Sequence, residues 1–244
     1  QLDGNWCLHP SGVLSLDEFN DAYDHIASPD ILIDDKNKRL IMYFHARSHT
    51  HGREQWSFAA TSSDGINFSP LVDSPLAPFY LKVFSYRNSI YGLTKGGNLW
   101  RSSDGMSSFK QFGNPYLPDL ANDLWHNEPG CIRHVGLLRL GNILHVAFSR
   151  IGDKPEHILY SQINLLSPDP LDWYFAGTVS LIYPETIDEG SNIPPVISTS
   201  GPSLSDENAL RDPHFLFDED KVYLFYSIRG ESGIAASIVK LPVF

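Results

Sequence analysis

Two short stretches of this chain repeat each other at a spacing that few folds use. Thr61-Ser62-Ser63-Asp64-Gly65-Ile66-Asn67-Phe68 recurs as Arg101-Ser102-Ser103-Asp104-Gly105-Met106, followed by Phe109, so that Asp64-Gly65 is answered by Asp104-Gly105. Asp-Gly between two short strands marks a hairpin, because glycine takes positive φ freely. A recurrence of about 40 residues is the period of one β-propeller blade. The aromatic residue after each turn is placed to pack between neighbouring blades.

A second repeat supports the same period. Arg39 to Arg47, Asn142 to Arg150 and Lys221 to Arg229 each follow a polar turn, are rich in β-branched and aromatic residues, and end in arginine. The stretches from Arg47 to Arg150 and from Arg150 to Arg229 are each long enough to hold a further blade. A third repeat aligns Ser28-Pro29-Asp30-Ile31-Leu32-Ile33 with Asp212-Pro213-His214-Phe215-Leu216-Phe217. Unbroken apolar triplets suit strands buried on both faces, as near a propeller's axis. Proline suits a strand's first residue, where no ladder hydrogen bond is lost.

These repeats predict an all-β fold, a single five-bladed β-propeller with an axial pocket spanning residues 1–244. Its blades are expected at 25–75, 76–118, 126–178, 179–206 and 207–241, with residues 1–24 packing on the propeller or closing it. The fourth blade carries the least strand signal, since Pro184 to Asn208 reads mostly as loop. A loop that long in a compact domain is functional or marks a wrong assignment.

In such a fold, residues at the starts of the innermost strands line one depression although they are far apart in sequence. The polar candidates are His25, Ser28 and Asp30 in the first blade and Arg133 and His134 in the third. Glu189 is the candidate in the fourth, and Arg211, Asp212 and His214 are those in the fifth. Arginine beside Asp212 favours its ionised form, although an aspartate before a strand also serves as a turn cap. Asp30 precedes an apolar triplet, where an unpaired carboxylate is costly. His45, His49 and His51 follow a strand with Arg47 and Arg53 nearby. Their spacing lacks the helical context of a zinc site and reads as a sugar-binding or simply solvated loop. Arg47, Arg150 and Arg229 lie one strand further out and are expected to pair with neighbouring carboxylates. Glu231, in Gly230-Glu231-Ser232-Gly233, reads as turn chemistry, with reach into the pocket as the alternative.

A formal charge of −11 argues against nucleic acid, which needs a clustered basic surface. No apolar run approaches the roughly 20 residues of a transmembrane helix, and no phosphate loop, nucleophile elbow or CxxC pair is present. Cys7 and Cys131 are either one disulfide or two buried thiols. The chain opens on Gln1, so a cytoplasmic location and export with the leader removed both stay open. Oligomeric state is not legible.

Leu210-Arg211-Asp212-Pro213, Ser28-Pro29-Asp30 and the Ser-x-Asp-Gly hairpins resemble the five-bladed propeller glycosidases of glycoside hydrolase families 43, 32, 117 and 130. The run His25 to His45, Arg150 to Glu156, and Gly230 to Ala235 are similar to bacterial propellers described only as glycosidase-like. The resemblance implies a hydrolase acting on a poly- or oligosaccharide through pocket carboxylates, with inversion. In family 43 an Asp-Pro box in the first blade supplies the base, whereas here that position is Ser28 and the carboxylate moves to Asp30. Glycoside hydrolysis needs one protonated and one ionised carboxyl group flanking the bond. The expectation is Glu189 as acid and Asp30 or Asp212 as base. His25, His45, Arg133, His134, Arg211 and His214 would then bind substrate or tune the carboxylates. A phosphorylase or lyase using Arg133, His134 and Arg211 for phosphate or a uronate, and a non-catalytic sugar-binding propeller, are the alternatives. No cofactor is required. A structural calcium in the axial channel is compatible with carboxylate and carbonyl ligands, and histidines would suit a transition metal.

Overall fold

The computed structural model describes Cys7, His9 and residues 12–117 and 127–244. The rest of the N-terminal stretch and residues 118–126, where the expected second blade ends and the third begins, lie outside the described residues. Those described form four antiparallel sheets laid down in chain order. The first comprises β1 (Ala22–Asp34), β2 (Arg39–Ser48), β3 (Gln55–Ser62) and β4 (Ser69–Pro78). The second comprises β5 (Lys82–Tyr86), β6 (Ser89–Leu93), β7 (Leu99–Ser102) and β8 (Lys110–Gly113). The third holds β9 (Ile132–Leu140), β10 (Ile143–Arg150), β11 (Ile158–Asn164) and β12 (Ala176–Ile182), and the fourth holds β13 (Arg211–Asp218), β14 (Lys221–Ile228) and β15 (Gly233–Ile238). The first strands of the sheets, β1, β5, β9 and β13, meet one another, β1 against β5, β5 against β9 and β9 against β13. The fold is an all-β propeller.

Four sheets, not five, are present among the described residues, and the expected blade at 179–206 is not one of them. Residues up to Ile182 form β12, the outer strand of the third sheet, and 183–210 run as turns and irregular backbone. The composition accounts for this. Pro184, Pro194, Pro195 and Pro202 each remove a ladder donor, and a run so interrupted cannot form a central strand.

Apolar seams join the sheets in sequence. Ile41, Tyr43 and Ala59 of the first sheet meet Leu81, Trp100 and Phe109 at the second. Tyr91, Leu93 and Leu99 of the second meet Ile132, Leu144 and Phe148 of the third. Ala147, Ile158 and Tyr160 of the third meet Phe215, Leu224 and Tyr226 of the fourth. Each large side chain so buried contributes about 1.5–3 kcal/mol. The outer face of the first sheet, with Met42, Phe44 and Phe58, is covered by Val13, Leu14, Leu16 and Phe19 from the N-terminal stretch. The fourth and first sheets differ. Leu216, Tyr223 and Ile238 share one face by register, and Leu216 and Ile238 remain 38% and 61% exposed. Ile31 and Ile33 of β1 are 41% and 66% exposed. No helix among the described residues is long and apolar enough to cross a membrane.

Candidate functional site

The sequence repeat at Ser28-Pro29-Asp30 and Asp212-Pro213-His214 is also a repeat of backbone geometry. Ser28 has φ 49° and Asp212 has φ 50°, and each precedes a proline. Each lies where the ladder to the next strand slips: between Ala27 and Asp30 on β1, and between Arg211 and His214 on β13. A bulge of this kind re-aims side chains next to active sites. Here the two bulges turn toward each other. His214 Nδ1 lies 3.6 Å from Asp30 Oδ1, joining equivalent positions of the two boxes.

Both boxes open into one pocket of ≈ 940 Å³, which His25, His45, Arg133 and His134 also line. Asp30, His134 and Asp212, which belong to three different sheets, are therefore neighbours in space. Asp212 Oδ2 accepts a hydrogen bond from Ser227 Oγ (2.8 Å), and its Oδ1 lies 3.4 Å from His134 Nε2. Asp30 Oδ2 accepts the amide of Val83 (2.7 Å). Lys82 donates to the carbonyl of Pro29 (2.6 Å). Tyr80 sets its ring edge-on to both His134 (4.5 Å) and His45 (4.6 Å).

Burial fixes the protonation of the histidines. Desolvation pulls His134 down to about 3, against the raising effect of Asp212. Desolvation, with the Lys82 ammonium nearby, does the same to His45. His214 is lowered for the same first reason, with Asp30 opposing. At neutral pH these are uncharged imidazoles. Desolvation pushes Asp212 upward, yet His134, Ser227, Lys82 and Arg133 outweigh it, and its carboxyl lies below the usual range. Since His134 is itself neutral there, the Ser227 hydroxyl and the charges of the lysine and arginine keep Asp212 ionised.

Several expected residues stand elsewhere. Glu189 does not line the pocket. Its Oε2 accepts the amides of Glu185 (3.0 Å) and Thr186 (2.9 Å) and the Thr186 hydroxyl (3.0 Å), and its Oε1 accepts Tyr226 Oη (2.8 Å). Burial raises its pKa, but these donors win and lower it, the opposite of what a general acid needs. Glu189 staples the 183–210 segment to the back of Tyr226. Arg211 is 2% exposed and faces the wall behind the pocket, with Nε on Glu156 (2.7 Å), Nη2 on Glu207 (2.6 Å) and Nη1 toward Glu231 (3.3 Å) and Ser203. His45 sits not in a loop but inside β2, 3% exposed, opposite Ala27. Cys7 and Cys131 are both free thiols, Cys7 exposed and Cys131 buried. Arg47, Arg150 and Arg229 pair with Asp24 (3.3 Å), Asp153 (3.0 Å) and Asp206 (2.5 Å).

The pocket has other members that the sequence reading did not name. Phe79, Tyr80, Lys82, Lys95, Tyr226 and Ser227 line it, and so does Glu231, which the sequence named as a turn residue. Lys82 opens β5, so the strand-start rule applied to the second blade would have found it. Among the described residues no group of three or more His, Cys, Asp or Glu is arranged to hold a metal ion. The axial carboxylates are each paired with one histidine, and no cation is assigned to them.

No family model matches the chain. It is 34% identical over 260 residues to the "Uncharacterized protein R118" of Acanthamoeba polyphaga mimivirus, an alignment covering 99% of this chain and 70% of that one. Among solved structures, CoXyl43, a GH43 β-xylosidase/α-arabinofuranosidase from a compost microbial metagenome in complex with xylotriose, is similar at a TM-score of 0.60 and 14% identity, covering 93% of this chain and 74% of that one. The GH43_1 enzyme from Xanthomonas citri complexed with xylose gives 0.59 and 13%, over 93% and 72%. The Cellvibrio cellulosa α-L-arabinanase complexed with arabinohexaose gives 0.54 and 11%, over 88% and 74%. At such identities the likeness is one of fold: the chain shares the propeller architecture of these glycoside hydrolases.

Proposed function

The chain belongs to the family of the mimivirus protein R118, and from the likeness of its propeller to those of glycoside hydrolases and from its pocket we propose that it cleaves a glycosidic bond held between Asp212 and Asp30. One observation carries the reading: the two repeated strand entrances deliver two carboxylates into a single cavity, one of them held ionised. Asp212 is the base. Ser227 and neutral His134 orient it, and the nearby cations keep it deprotonated. Asp30 is the acid. The Val83 amide fixes one of its oxygens, and the other faces His214, whose side chain is 44% exposed and able to return a proton from solvent. Phe79, Tyr80 and Tyr226 line the pocket and supply aromatic surface for a sugar ring to pack against. Inversion requires the carboxyl groups to stand about 6.5–9.5 Å apart, with a water on the Asp212 side.

The test is turnover of a panel of xylo-, arabino- and fructo-oligosaccharides. D212N and D30N are each expected to lower kcat about 10²–10⁴-fold, the usual contribution of a general acid or base, with thermal midpoints preserved. Proton NMR of early product should show the inverted anomer. Hydrolysis undiminished in D212N would remove Asp212 from the role.

A sugar-binding propeller without catalysis is favoured by one feature: Ser28 stands where Asp212 stands in the other box. Binding with no product from the wild-type protein would select it. A phosphate-using reading has less support, because the donors of Arg211 are engaged by Glu156, Glu207, Glu231 and Ser203, and those of Arg133 by Glu156 and the carbonyls of Thr199 and Gly201.

A further inference from the structure

Two dipeptides reach the pocket from adjacent sheets, Arg133-His134 on β9 and Arg211-Asp212 on β13; Arg133 also lines the pocket, whereas Arg211 lies behind it. His134 and Asp212 face each other inside the pocket, 3.4 Å apart. The two arginines reach one carboxylate, that of Glu156 between the third and fourth sheets. Glu156 Oε2 accepts from Arg211 Nε (2.7 Å) and Arg133 Nη1 (3.4 Å), and its Oε1 accepts from Ser149 Oγ (2.8 Å). Ser149 is the register partner of His134. The backbone of Glu156 is tied as well: its carbonyl accepts the amide of Leu210 (3.0 Å), and it bridges in parallel to Ala209. The residue is 0% exposed and does not line the pocket.

A fully buried carboxylate between two arginines is a poor source of stability, because desolvation offsets most of the attraction. What such a group does provide is geometry, since a planar guanidinium binds a carboxylate in few orientations. We propose that Glu156 is a positioning residue that sets the distance between His134 and Asp212 by clamping the arginine that precedes each of them. The proposal rests on the reading of Asp212 and His134 as the working pair, and its test needs no substrate.

The bland account is that Glu156 only neutralises two buried arginines, and the two accounts differ in sign. If neutralisation is all, removing the charge leaves Arg133 and Arg211 less compensated and drives His134 further below its present value of about 3. If Glu156 positions, the pair separates and water enters; relief of the desolvation that dominates His134 then outweighs the lost raising effect of Asp212, and His134 climbs toward the ordinary imidazole range near 6.5. The other groups around His134 keep their chemical identity in the substitution: Asp212, Arg133 and Arg211 on β9 and β13, and Lys82, Tyr80 and His45 in and between the first two sheets.

The experiment is a pH titration of histidine ring signals by NMR on the full chain, for wild type, E156Q and S149A. In the wild type His134 is expected to stay neutral down to pH 5. In E156Q its midpoint should rise by about two to three pH units. S149A keeps the charge but frees one carboxylate oxygen, and a smaller rise of about one unit is expected. A folded E156Q in which His134 stays neutral at pH 5 would overturn the proposal. Should E156Q fail to fold, S149A decides, and an unmoved His134 there overturns it equally. If His134 rises as expected while wild type leaves every oligosaccharide intact, the hydrolase reading fails and the positioning role stands.

Discussion

Ser28 and Asp212 hold left-handed backbone immediately before a proline, a position where the proline ring disfavours helical dihedrals of either hand. Such strain costs about 1–3 kcal/mol and concentrates at functional sites. Asparagine tolerates left-handed φ as aspartate does, which makes D212N a clean variant. Around these residues sit histidines that burial keeps neutral, and this has a consequence for stability. His45 and His134 titrate near 3 in the folded protein against about 6.5 unfolded. A lowered folded value means that the unfolded chain takes up protons first, so their contribution is whole above pH 6.5 and is lost on acidification toward pH 3. Each should remove about 1.4 kcal/mol per pH unit in that window. Thermal midpoints measured from pH 7 to pH 4.5 should fall steeply, and less steeply in His45→Gln. Asp30, Asp212 and His134 were legible because strand-start position is a property of sequence. Glu156 was not, since nothing local announces that one carboxylate receives two arginines, one from a strand earlier in the chain and one from a strand in the next sheet.

The blade hairpins show why the period was readable. Asp104 Oδ1 accepts the amides of Met106 (2.9 Å) and Ser107 (2.8 Å), and these backbone donors hold its carboxyl down to about 2. Asp64 repeats the arrangement with Ile66 and Asn67. The turn also reaches the neighbouring sheet: Tyr43 Oη donates to the Gly105 carbonyl (2.8 Å), and a Cβ on Gly105 would lie 2.5 Å from that hydroxyl oxygen at φ 74°. Tyr43→Phe should cost about 1 kcal/mol in denaturant unfolding, and Gly105→Ala more. On β9, Gly136 lets β13 approach so closely that a Cβ would meet the Pro213 carbonyl oxygen at 2.4 Å. Gly136→Ala should destabilise by about 1–3 kcal/mol and lower turnover, because it displaces the backbone beside Asp212. The blade expected at 179–206 was misread although its four prolines argue against a central strand, whereas the burial of His45 follows from a register that composition does not show.

At the scale of the molecule the four sheets are joined unequally. Three seams are packed with aromatic and branched side chains, whereas the fourth and first sheets leave Ile31, Ile33, Leu216 and Ile238 partly in solvent and meet through Asp30 and His214. Backbone amides of β15, every second residue of which is exposed, should therefore exchange with solvent faster than those of β2 and β10. Equal protection across these strands would mean that the fourth sheet is held by more than the seam with the third. The central claim is that stretches scattered along the chain meet in one pocket that takes a sugar between Asp30 and Asp212. The most direct measurement is a crystal structure of D212N soaked with xylo- and arabino-oligosaccharides. The account predicts a sugar ring against Phe79 and Tyr80, with its glycosidic oxygen between Asp30 and position 212. A saccharide bound only on the outside of the sheets, or a pocket empty across the whole panel, would contradict it.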